Sequence, residues 1–68
     1  MSNAFELTVD DVLNVVHIMG KKIGGDKANE IFNNLNHFKV EEAALSGNDQ
    51  TTYAYKEIER QITEDKLI

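Results

Sequence analysis

Apolar residues in the first third of the chain recur at three- and four-residue steps. Val9, Val12, Leu13, Val16 and Met19 fall on one side of a helix, and Val15 and Ile18 widen that side beyond a narrow stripe. Thr8, three residues before Asp11, approximates a capping box, and Leu7 is placed to staple onto Val12, so the helix is expected to start there. Asp10 and Asp11 suit its positive end. Lys21 and Lys22 read as its last turn and Gly24-Gly25 as the breaker beyond it. A second helix is expected from about Asp26, with Ala28, Ile31, Phe32 and Leu35 on one face and Lys27, Asn29, Glu30, Asn33 and Asn34 opposite. Asn36 can cap a third, short helix, with Leu35 placed to staple onto Val40; Phe38, Ala43, Ala44 and Leu45 continue its apolar pattern, and Gly47 offers a left-handed stop. Asn48 or Asp49 caps the last helix, whose stripe is Ala54, Tyr55, Ile58 and Ile62, with Tyr53 beside it and Leu67-Ile68 at the end.

The pattern predicts an all-α chain: a compact bundle of about four short helices, one small domain over 1–68. Its expected core is Val12, Leu13, Val16, Met19, Ile31, Phe32, Leu35, Val40, Leu45, Ile58 and Ile62. A brief alternation, Phe5, Leu7 and Val9, offers a short strand as the minor alternative, although an isolated strand lacks a partner edge.

Composition narrows the function classes. The chain has 68 residues, 41% hydrophobic and 28% charged, which is ordinary globular usage. At this size a single core is small, and without Cys neither disulfides nor thiolate metal sites can reinforce it, so self-association is the expected support. No window is apolar enough for a membrane span, and Met1 to Thr8 lacks the basic and apolar regions of a signal peptide. A cytoplasmic protein is expected. The net charge of −5 opposes general attraction to nucleic-acid phosphates. It is distributed as −3 over residues 1–20, +2 over 21–40 and −4 over 41–68, so a weakly basic middle separates acidic ends. Head-to-tail association is conceivable on that pattern, although a solvated surface of mixed sign explains it more simply.

Candidate chemistry is sparse. His17 and His37 are the only side chains that ordinarily titrate near neutrality, and neither belongs to an HExxH or comparable ligand spacing. Glu41-Glu42 and Glu57 with Glu59 diverge around a helix, whereas an acid-base pair needs convergence, so they read as solvated charge. Ser2 and Ser46 lack a nucleophile-elbow context. Gly24-Gly25 precedes a helix but matches no phosphate-loop pattern, and a helix-to-helix turn accounts for it. In a helix-turn-helix reading the third helix would bring Glu41 and Glu42 with Lys39 to the DNA, which its charge opposes.

The expectation is a noncatalytic, self-associating binding module that regulates or scaffolds another macromolecule, an unidentified protein, without metal or cofactor. Tyr53, Tyr55, Ile58 and Ile62 are its expected partner-binding seam. The alternative is a small nucleic-acid-binding regulator using Lys21, Lys22, Lys27 and Lys39. An enzyme ranks third.

Overall fold

The computed structural model describes residues 6–68, which form four helices: α1 (Val9–Ile18), α2 (Gly25–Asn34), α3 (His37–Leu45) and α4 (Gln50–Glu64). No strand occurs among the described residues. Of the alternation weighed as a strand, Phe5 lies outside the described residues, Glu6 to Thr8 lack regular structure, and Val9 is already helical.

Each helix end has a local cause. Asp11 reaches back to the start of α1, where its Oδ2 accepts from the Thr8 backbone N–H at 2.9 Å and from the Thr8 hydroxyl at 3.2 Å. The helix does not extend to Lys21 and Lys22. Gly20, at φ +82°, turns the chain left-handed; its N–H donates to the His17 carbonyl, and the Lys21 N–H donates to that of Val16. This is a Schellman stop, four residues before the glycine pair. The pair opens α2 instead, with Gly24 as an N-cap that has no side chain to offer. Asn36 caps α3 through its side-chain oxygen, and Asp49 caps α4 by accepting from the Thr52 N–H and hydroxyl. Lys66, at φ 53°, and the Leu67 N–H, which donates to the Ile62 carbonyl, close α4 with a second Schellman turn made without glycine.

Gly47 does not serve as a left-handed stop, since Gly20 alone among the described glycines has positive φ. The Tyr53 ring occupies the space a Cβ at Gly47 would need. Gly47 thus lets the start of α4 lie against the end of α3. At the other end of this antiparallel hairpin, Gln61 joins α4 to the start of α3. Its Oε1 accepts from the Asn36 N–H at 2.7 Å, and its Nε2 donates to the Asn36 carbonyl at 3.3 Å and to Glu57 at 2.9 Å. Every hydrogen-bonding direction of that buried amide except one lone pair is used.

One cluster forms the core: Val12, Val15 and Val16 of α1, Ala28 and Ile31 of α2 with Leu35 at its end, Val40 and Ala44 of α3, and Ala54, Ile58 and Ile62 of α4. α3 packs on α4, and α1 packs on α2 and α4. The radius of gyration, 11.3 Å, is close to the roughly 11 Å of a compact chain this long. Three expected core positions differ in degree, because Leu13, Met19 and Phe32 are only partly buried against the cluster. Leu45 differs in kind. It is 65% exposed, and the small Ala44 beside it faces inward instead.

Candidate functional site

Two of the four residues expected to form a partner seam belong to the chain's own interior. Ile58 is 0% and Ile62 2% exposed, so neither is offered to a partner in this fold. The narrow α4 stripe is covered within one copy by α1 and α3. Tyr55 is partly buried and its hydroxyl is engaged: it donates to Asp11 Oδ1 at 2.8 Å and accepts from Asn14 Nδ2 at 3.2 Å. Burial raises the Tyr55 hydroxyl above the ordinary tyrosine value, and the Asp11 carboxylate adds to the shift while Asn14 opposes it. Tyr53 alone of the four is exposed, lying over Gly47 with the Lys56 ammonium 5.5 Å from its ring centroid.

The apolar surface left over lies elsewhere. On α3, Val40 and Ala44 face the core, while Phe38 and Leu45 are 71% and 65% exposed. Seven residues is nearly two helical turns, so Phe38 and Leu45 share one face about 10 Å apart along the axis, directed away from α4. Glu41 and Glu42, three and four residues from each, stand one turn along the helix, to either side of the line that joins them, and are exposed. The outward face of α3 is therefore two large apolar side chains flanked by two carboxylates. Its signal in the sequence is the i, i+7 pair, but the same residues also extend the apolar run that contains Val40 and Ala44. Which set turns inward depends on the small side chains that permit close approach to α4.

A second surface surrounds the end of α1. Ile18 is 66% exposed on the side opposite Val12 and Val16. His17, Gly20, Lys21 and Lys22 line a shallow depression of about 340 Å³ beside it. Of the other two lysines of the expected nucleic-acid patch, Lys27 Nζ is 3.7 Å from Glu30 on α2, and Lys39 is exposed on α3. Lys21 and Lys22 share one feature; Lys27 and Lys39 are not joined to it.

His37, Glu57 and Glu64 have partners within the fold. His37 Nε2 is 2.7 Å from the Phe32 carbonyl, which can only accept, so that nitrogen carries the proton; its ring lies 4.6 Å from that of Phe32. Glu57 is held below the usual carboxylate range chiefly by the Arg60 guanidinium, whose Nε donates at 2.9 Å, and further by Gln61; Arg60 Nη1 also donates to Glu64 at 2.9 Å. Among the described residues no group of three metal-ligating side chains converges, and no helix is long and apolar enough to cross a membrane. No family model, no curated protein and no solved structure matches the chain.

Proposed function

We propose that the protein is a noncatalytic, self-associating binding module whose docking surface is the outward face of α3, and that in this way it regulates or scaffolds another macromolecule. The observation that carries this reading is the exposure of Phe38 and Leu45 on a helix whose opposite side already completes the core. Scattered surface hydrophobes are ordinary, but two large ones aligned on one helix face and edged by charge have the composition of a small interface centre with a polar rim. The nucleic-acid alternative is weakened because the four lysines are spread over the end of α1, α2 and α3, and Lys27 pairs with Glu30.

Photo-crosslinking in the source cell tests the reading. A benzoylphenylalanine replacing Phe38 or Leu45 is expected to give discrete protein adducts, while the same probe at Glu59, exposed on α4, gives none. Equal labelling from all three positions, or none from α3, overturns it.

A further inference from the structure

We infer that the partner of the α3 face is a second copy of this chain, presenting the basic corner at the end of its α1, so that copies join head to tail. The inference rests on the reading of the α3 face as a docking surface and adds which surface of the second copy occupies it. The face cannot readily pair with its own equivalent, because Glu41 and Glu42 of two copies would then meet as four carboxylates around the apolar contact. It calls for an apolar projection set among positive charges. The chain supplies one: Ile18, exposed on α1, stands beside the depression lined by His17, Lys21 and Lys22. In the joined state Ile18 seats between Phe38 and Leu45 of the next copy, and Glu41 and Glu42 meet Lys21 and Lys22.

The two surfaces are on different helices, and α4 packs against both α1 and α3, so one copy can use both at once. A heterologous contact of this kind extends into chains unless its rotation closes a ring. Three apolar anchors and two pairs of exposed charges make a small interface, which is expected to be weak, with association on the order of hundreds of micromolar.

The test is sedimentation equilibrium on the full chain, on E41K/E42K, on K21E/K22E, and on an equimolar mixture of the two variants. All four substituted positions are exposed, and unchanged circular dichroism verifies the fold of each variant. The parent's average mass is expected to rise with concentration to about 1 mM and to pass the dimer mass. Each variant alone should associate at least about tenfold more weakly, because like charges now face each other, and the mixture should recover because every junction again has opposite signs. A parent that stays monomeric through this range, or stops at a dimer, overturns the inference. So does either variant associating like the parent, or a mixture no stronger than its components. If the parent is monomeric while a probe at Phe38 captures a different protein, self-docking fails and the reading of the α3 face as a docking surface stands; if Phe38 adducts contain two copies of this chain, both stand.

Discussion

Gln61 shows how one polar side chain can fix the relation between two helices. Its amide pairs with both backbone groups of Asn36 at the turn between α2 and α3, in the manner of a strand edge, and sits in a site only 4% exposed. Gln61→Leu fills the volume but leaves the part-buried Asn36 N–H without its acceptor and the Asn36 carbonyl with only the Val40 N–H, so a loss of about 1–3 kcal/mol is expected in urea denaturation. Tyr55 links α4 to the cap of α1 through Asp11, and Tyr55→Phe should cost about 1 kcal/mol, the usual worth of such a hydrogen bond. Lys66 marks an opposite opportunity. It holds a left-handed conformation that costs an L-residue about 1–2 kcal/mol, so Lys66→Gly should raise stability by about 0.5–1 kcal/mol once the greater freedom of glycine in the unfolded chain is subtracted. A fall in the denaturation midpoint would show that the Lys66 side chain contributes more than its backbone loses.

At the scale of elements, the caps make stability depend on pH. The Thr52 hydroxyl and N–H lower the Asp49 carboxyl, and Arg60 foremost lowers that of Glu57. A carboxyl depressed in the folded state stabilises fully above its unfolded value, which for Glu is near 4.5, and that contribution is lost as pH falls through the folded value. Melting temperature should therefore drop below about pH 4.5. Asp49→Asn keeps a capping side chain while removing its titration, so Asp49→Asn with Glu57→Gln should flatten this acid limb. An unchanged limb would place its origin in other carboxylates. Tyr55, raised in the folded state, contributes fully below about pH 10, and its share is lost as pH climbs above the folded value.

Helix number, order and the caps Thr8 and Asn36 were legible because these residues stand directly before periodic apolar segments, and of the two caps the sequence offers for α4, Asn48 and Asp49, the structure uses Asp49. The end of α1 was not, because a single glycine among apolar and basic residues is a weaker local signal than Gly24-Gly25, although Gly20 alone of the described glycines adopts the left-handed conformation. The site was less legible still. The α4 stripe reads equally as a seam or as a core, and α3 carries apolar residues on two faces. Which face is buried is decided by the packing of Val40, Ala44 and Ala54, a tertiary fact that periodicity does not contain.

At the scale of the whole molecule, one copy closes its core with Ile58 and Ile62 and leaves Phe38 and Leu45 outside. The proposed self-association would then be an added contact between finished copies, on which folding is not expected to depend. The most direct measurement of this division is urea denaturation, at about 10 μM, of Ile62→Asp beside Phe38→Asp, a concentration below the expected association. Ile62→Asp places an unpaired charge in a site 2% exposed and should abolish cooperative unfolding. Phe38→Asp lies on the exposed first turn of α3, where negative charge suits the helix dipole, so its midpoint should match or slightly exceed the parent's. A folded Ile62→Asp together with an unfolded Phe38→Asp would reverse inside and outside and contradict the account.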